Sequence, residues 1–412
     1  MRGRHRERLF SLLLLLGSVA LVLGLLEIVA RVARARQGAG KEANEARQYN
    51  EYDPLLGWRK KPGARVVYHR REYTTEVAVN SLGLRDPERG YQAAPGTSRV
   101  LALGDSFLEG YTVPLADTVT QVLERGLRAQ GCAVDVLNGG TQAYSTDQEL
   151  LFYRSEGVKY APEVVVVFFY YNDVLYNDRQ EYFTGPKPIF EMGSGVLKLH
   201  RFPVRRPRPE EAAADVAEGT GGGGGGSAAL EWLRDRLWYG APRAYNALAR
   251  LGLWPPMPRV PIRLELRVYE KREVADIEDA WAKTALILKT MAEEVRGHGA
   301  SLVLVGIPAR FEVDDRSWQL TQTLYGFDER TWDRGRVMAR LARIAGEAQV
   351  PFLDLTAALR ASRQPPYFTY DGHWTPAGHA AAAGALLDTL HAQGRFIDCA
   401  GAGKAKGGLP SP

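Results

Sequence analysis

The chain has 412 residues, 45% hydrophobic and 25% charged, enough for one large domain with insertions or for two domains. Its net charge of +5 resides in residues 1–47, which hold nine Lys and Arg against four Glu, while the rest of the chain balances. A neutral body lacks the broad positive footprint of a nucleic-acid binder, so no nucleic-acid partner is expected.

Residues 1–8 are a basic N-terminus. Residues 9–30, Leu9 to Ala30, form a nearly unbroken Leu/Val/Ala run of 22 residues. About 20 apolar residues cross a bilayer as a helix, whereas the apolar region of a signal peptide runs to about 7–15. The run is therefore read as an uncleaved single-pass transmembrane signal anchor. The alternative is cleavage near Ala33-Arg34-Ala35. Arg2, Arg4, Arg6 and Arg8 precede the span and Arg31, Arg34 and Arg36 follow it. That small surplus places the N-terminus inside and the body outside the cytoplasm, with Glu27 close enough to one end to snorkel to the interface. The two cysteines, Cys132 and Cys399, leave open a disulfide or two free thiols.

Residues 31–50 are polar and basic and read as a linker. Residues 51–98 change to short β-like runs with turn signals, such as Pro54-Leu55-Leu56-Gly57-Trp58 and Asn80-Ser81-Leu82-Gly83, and read as a strand-rich collar. Over 99–395 strands and helices alternate. Strands are expected at 100–103, 134–137, 164–169, 301–305 and 351–355, and helices at 117–130, 146–158, 275–297, 330–347 and 376–391. The apolar run Val164 to Phe169 suits a central parallel strand covered on both faces. This rhythm predicts an α/β fold: a three-layer, doubly wound parallel sheet. An insertion at 174–272 interrupts it, with a flexible Gly-rich part at about 205–228. Within it, residues 229–252 read as an amphipathic helix or helix pair. The simpler reading packs it on the sheet; the other makes it a lid or a membrane-facing helix. Residues 396–412 read as a flexible tail.

Gly104-Asp105-Ser106 follows a strand and opens a helix, where an open α/β sheet binds ligands and where free backbone N–H groups are offered. A capping serine would look the same, and Leu108 rules out the G-x-S-x-G nucleophile elbow. A serine hydroxyl needs a neighbouring base. Of seven histidines, His373 stands in Asp371-Gly372-His373-Trp374-Thr375-Pro376, just before a helix start. Asp371 and His373 are two apart, so in extended chain they share a face and the carboxylate can orient the imidazole. His379, one turn on, suits packing or capping, with a catalytic part the lesser reading. Acyl transfer also needs oxyanion donors. Asn172, at the end of the 164–169 strand, can offer its amide, although Asn-Asp after a strand is also ordinary turn chemistry. The loop Asn138 to Tyr144 can offer a backbone N–H.

The order of these blocks resembles the SGNH (GDSL-type) hydrolase family over roughly residues 99–392, minus the insertion. The resemblance implies a flavodoxin-like fold, a Ser106–His373–Asp371 triad, and an oxyanion hole built from Asn172, Ala143 and Ser106. Two positions depart from the family pattern. Ala143 replaces a glycine, which a backbone donor tolerates if φ is negative, and Tyr170 replaces the glycine before Asn172-Asp173. The resemblance also implies an ester- or acyl-bearing substrate. The Asp-x-His-Trp block and the anchor are similar to the subgroup that O-acetylates exported polysaccharide, so the substrate is expected to be a cell-envelope or exported glycan. Water as acceptor makes the chain an esterase. A sugar hydroxyl makes it an O-acyltransferase, and a third reading is a non-catalytic glycan-binding protein. No metal and no cofactor is expected, since His373 and His379 are not at a zinc spacing and no cysteine is near them.

Overall fold

Five runs rich in Val, Leu and Phe form one parallel sheet: β1 (Ser98–Gly104), β2 (Val134–Asn138), β3 (Val164–Tyr170), β4 (Ser301–Ile307) and β5 (Phe352–Asp354). Their order across the sheet is β2-β1-β3-β4-β5, all parallel. This is the flavodoxin-like order, whose switch point lies between β1 and β3. The computed structural model describes residues 2–36, 42–183, 185–193, 195–208, 227–392 and 399. Most of the Gly-rich stretch and all of the tail except Cys399 lie outside the described residues.

The N-terminal helix α1 (Arg2–Arg36) contains an apolar stretch, Leu13–Val32, long enough to cross a membrane and unburied by the rest of the chain. Residues 31–50 are not a simple linker. Helix α1 continues to Arg36, and Glu42–Tyr49 forms another helix. That second helix is held because Ala46 and Tyr49 pack with Val66, Tyr68, Val77, Val79 and Tyr111 in a small core of their own. The collar is two antiparallel ribbons, Asn50–Asp53 with Gly57–Lys60 and Arg65–His69 with Thr74–Ala78.

Side chains alternate across the sheet, so each strand feeds two cores. Val100, Ala102, Val136, Val166, Phe168 and Val305 point to one face. There they meet α3 (Val119–Ala129) and α10 (Pro376–Ala392), while α2 (Ser106–Glu109) is a single turn at the sheet's edge. Leu101, Leu103, Leu137, Val165, Val167 and Leu304 point to the other face. They are covered by α4 (Thr146–Ser155), α7 (Ala275–Gly297) and α9 (Arg336–Glu347). Helix α9 starts six residues later than the expected 330, because Trp332 is turned inward to stack on Phe327 at 3.6 Å between ring centroids.

The insertion supplies α5 (Ala228–Gly240) and α6 (Pro242–Arg250). They do not lie on the sheet as the simpler reading expects. Trp238 and Tyr245 pack on Leu320 of α8 (Asp315–Tyr325), a helix the sequence reading did not anticipate. A disulfide joins Cys132 to Cys399 across 267 residues of sequence and resolves the open pairing.

Candidate active site

Strand β1 ends at Gly104 and Asp105 caps α2, its Oδ1 accepting the Phe107 N–H at 2.8 Å. Capping is thus the role of the acidic residue before Ser106. Burial raises the Asp105 carboxyl to about 6, against the lowering effect of that hydrogen bond. Ser106 itself opens the helix, so its N–H has no intrahelical acceptor.

Asp371 and His373 lie in the loop that leads into α10. The loop folds back on itself through an antiparallel bridge of Tyr367 with Trp374. Gly372, at φ 86°, makes the turn between the two polar side chains. Trp374 is fully buried, edge-on to Phe107 at 5.3 Å, and so packs beneath the loop. Ser106 Oγ lies 2.8 Å from His373 Nε2, and His373 Nδ1 lies 2.6 Å from Asp371 Oδ1. With a carboxylate at Nδ1, that nitrogen carries the proton and Nε2 accepts from the serine hydroxyl. Burial disfavours the imidazolium, yet the hydrogen bond and charge of Asp371 outweigh it and raise the His373 pKa above the ordinary 6.5. Burial likewise opposes charge on Asp371, but His373 and the Tyr73 hydroxyl hold its carboxyl down to about 2.

The collar reaches over this loop, and the sequence offered no sign of it. Glu72, between the second pair of collar strands, accepts the backbone N–H groups of Thr369, Tyr370 and Asp371 at 2.7, 2.7 and 3.1 Å. Its neighbour Tyr73 donates its hydroxyl to Asp371 Oδ2 at 2.7 Å. Tyr111 places its hydroxyl 3.5 Å from the same oxygen and 3.3 Å from His373 Nδ1. These residues lie some 260–300 positions from Asp371 and sit in no motif, so composition and periodicity could not reveal them.

Asn172 follows β3, the neighbour of β1. Its Oδ1 is buried without a partner, and among the described residues its Nδ2 makes no protein hydrogen bond. The loop after β2 is seated on α2. A Cβ at Gly140 would come within 2.4 Å of Glu109 N, so only glycine permits the approach. Buried Glu109 then accepts Gln142 N–H at 2.6 Å and Tyr49 O–H at 2.8 Å. Lys60 donates to Thr141 Oγ1 at 2.7 Å and to Gly140 O. Ala143 has φ 63°, not the negative φ that the sequence reading required of it. It keeps the left-handed conformation a glycine would adopt, because loop and helix fix the backbone on both sides. Among the described residues its N–H has no hydrogen-bond partner.

His379 does not join the site. It is buried, its Nδ1 accepts Val119 N–H at 3.2 Å, and burial pushes its pKa down to about 3, leaving it neutral. Behind Asp105 lie Glu149 and Asp173, both fully buried with no hydrogen bond on any carboxyl oxygen. Burial first, then the charges of the neighbouring carboxylates, raise both far above their ordinary values. Nearby Asp147 stays paired to buried Lys187 at 2.8 Å. Among the described residues, no three His, Cys, Asp or Glu side chains converge in a way that would hold a metal ion.

A doubly wound parallel sheet carrying a Ser–His–Asp chain at its switch point is the arrangement of an SGNH-type acyl hydrolase. Residues 102–381 match the model of the GDSL-like lipase/acylhydrolase family, and the chain belongs to that family. Similar solved structures include a putative G-D-S-L lipolytic protein from Desulfitobacterium hafniense, at 10% identity and a TM-score of 0.34, covering 71% of this chain and 99% of that one. A lipase/acylhydrolase from Enterococcus faecalis shares 12% identity with a TM-score of 0.36, covering 72% and 96%. A catalytic mutant of an acetylxylan esterase from Geobacillus stearothermophilus shares 12% with a TM-score of 0.36, covering 71% and 94%. No curated protein matches the chain.

Proposed function

We propose that this acyl hydrolase is a membrane-anchored serine esterase whose nucleophile is Ser106, with His373 as base and Asp371 as its orienting carboxylate. The observation that carries the reading is the continuous hydrogen-bonded chain Ser106–His373–Asp371 at 2.8 and 2.6 Å. His373 Nε2 takes the hydroxyl proton as Ser106 Oγ attacks the ester carbonyl. The developing oxyanion is met by the N–H groups of Ser106 and Ala143 and by the Asn172 amide. Imidazolium then protonates the departing alcohol, leaving an acyl-enzyme. Water, deprotonated by the same imidazole, releases the acid and restores the serine.

Helix α1 anchors the enzyme, with the folded body outside the cytoplasm. The Cys132–Cys399 disulfide supports that side, since disulfides persist in oxidising compartments. The substrate class is an ester on a cell-envelope or exported glycan, following the likeness of Asp371-Gly372-His373-Trp374 and the anchor to proteins that modify such polymers. The test is release of p-nitrophenol from p-nitrophenyl acetate with and without oligosaccharide. Ester cleavage by the wild type, indifferent to added sugar and abolished in Ser106→Ala, supports the esterase. Sugar-accelerated release with acetylated sugar as product identifies an O-acyltransferase instead. Equal rates in wild type and Ser106→Ala would leave a glycan-binding role without Ser106 chemistry.

A further inference from the structure

The first turns of α5 carry large apolar side chains that nothing among the described residues covers. Leu230 is 58% exposed, Trp232 48% and Leu233 39%. At about 100° per residue, Leu230, Leu233 and the half-buried Leu237 form one stripe. Exposed Arg234 flanks it on one side and Arg236 on the other, the latter 5.0 Å from the Trp232 ring. An adjacent, inward side of the helix is satisfied, with Trp238 buried against Tyr245 at 5.3 Å.

The start of the helix indicates what covers the stripe. Ser227 Oγ and the N–H groups of Ala228 and Ala229 all donate to the Glu27 carboxylate of α1, at 2.6, 3.0 and 3.0 Å. An anion at these free N–H groups is favourable, so Glu27 is engaged in capping α5 rather than simply snorkelling. It stands near the end of the apolar stretch Leu13–Val32. The N-terminus of α5 is thereby pinned where that stretch approaches its polar end. The other end of α5 meets the active-site loop. Tyr239 packs edge-on against Tyr370 at 4.9 Å, and Arg71 lies over the Tyr370 ring at 3.5 Å while reaching Asp235 at 3.5 Å. Tyr370 immediately precedes Asp371.

We propose that the outer stripe of α5 lies in the interfacial layer of the bilayer that α1 crosses, making α5 a strut between membrane and active site. This rests on the reading of Leu13–Val32 as a membrane span. A stripe of Leu on one face with Arg at its margins is the pattern of a helix lying at a membrane surface, while Trp232 stands exposed beyond Arg236, outside the stripe. From Ala228 to Tyr239 the helix rises about 17 Å at about 1.5 Å per residue. Tyr239, in ring contact with the residue before Asp371, is thus held within roughly that distance of the Glu27 level, which keeps the active-site loop within reach of esters presented close to the membrane surface.

The test uses the full chain reconstituted into phosphatidylcholine–phosphatidylglycerol vesicles, with single spin labels introduced by Leu233→Cys, Leu16→Cys and Arg330→Cys. The probes are dissolved oxygen, which concentrates in lipid, and a water-soluble nickel chelate. Leu16 lies in the span, and Arg330, its side chain 90% exposed, is the water-facing control. The strut predicts that oxygen outcompetes the chelate at position 233, as at position 16, with the order reversed at position 330. If 233 behaves like 330 while 16 remains lipid-exposed, the strut is wrong and the anchor stands. Chelate access at both 16 and 233 would overturn the anchor and the strut together. As a second readout, Leu230→Asp with Leu233→Asp leaves cleavage of a soluble ester unchanged and shifts a label at Arg236→Cys toward the chelate. No shift at that label would count against the strut.

Discussion

Replacing Glu72 tests whether the collar positions the catalytic loop. In Glu72→Ala the N–H groups of Thr369, Tyr370 and Asp371 all lose their acceptor, and those of Thr369 and Asp371 are in partly buried bonds. A hydrogen bond to a charged group is worth about 1.5–3 kcal/mol, and the exposed one, readily replaced by water, contributes little. The loop is therefore weakened by roughly 3 kcal/mol, an upper limit of about 100-fold in kcat/KM if all of it misaligns the triad. Tyr73 on Asp371 at 2.7 Å and Arg310 on Thr369 O at 2.7 Å still hold part of the geometry. The expected loss is about 10- to 100-fold. Glu72→Gln keeps an acceptor oxygen and should lose only about threefold to fivefold. The assay is kcat and KM for p-nitrophenyl acetate across pH, with the melting temperature measured alongside. A positioning role predicts a fall in kcat with little change in KM, and an ascending pH limb that moves down toward 6.5 as Asp371 loosens from His373. Wild-type kcat/KM in a folded Glu72→Ala enzyme would refute this reasoning.

Three other outcomes follow from the same structure. His373 must be neutral to accept the serine proton, and its pKa is raised, so kcat/KM should climb with pH through a limb lying above 6.5. Asp371→Asn should move that limb down and cost about 10³–10⁴ in kcat; a limb unmoved by the substitution would mean that Asp371 does not orient His373. Ala143→Gly should retain activity, because the oxyanion donor proposed for Ala143 is its backbone N–H. Relief of the left-handed strain, offset by the entropy of glycine, should add about 0.5–1 kcal/mol to stability by denaturant unfolding, and a loss of stability would contradict the φ of 63°. Glu149 has a folded pKa well above its ordinary 4.5, so the unfolded chain sheds that proton first and the folded state loses stability as pH rises past 4.5. Glu149→Gln should therefore match wild type near pH 4 and melt higher at pH 8; an equal difference at both pH values would argue against a protonated Glu149.

The strands and their chemistry were legible because they are local. Apolar runs of the right length located β1 to β5 and placed Ser106 and Asn172 just after parallel strands, where an open sheet binds ligands; the strand order that makes this the switch point is visible only in the fold. Asp371-Gly372-His373 was legible because the two polar residues are near neighbours before a helix start, although the left-handed turn at Gly372, not extended chain, brings them together. The supports were not. Glu72, Tyr73, Lys60 and Glu109 act across 33–299 positions and look like ordinary collar and helix residues until the chain is folded. Ala143 misled for a related reason: its φ is imposed by the seating of the loop on Glu109 and Lys60, not by its own preference. The linker reading failed at 42–49 because burial of Tyr49, not a strong apolar period, stabilises that helix. For the insertion, the amphipathic pattern was legible, but not that its inner face would meet α8 rather than the sheet.

That Ser106 is the nucleophile is tested most directly by a fluorophosphonate probe followed by peptide mass spectrometry of the full chain. A single adduct on the Ser106 peptide is predicted, absent in Ser106→Ala and strongly slowed in His373→Ala. An adduct on another residue, or labelling that persists in Ser106→Ala, would contradict it.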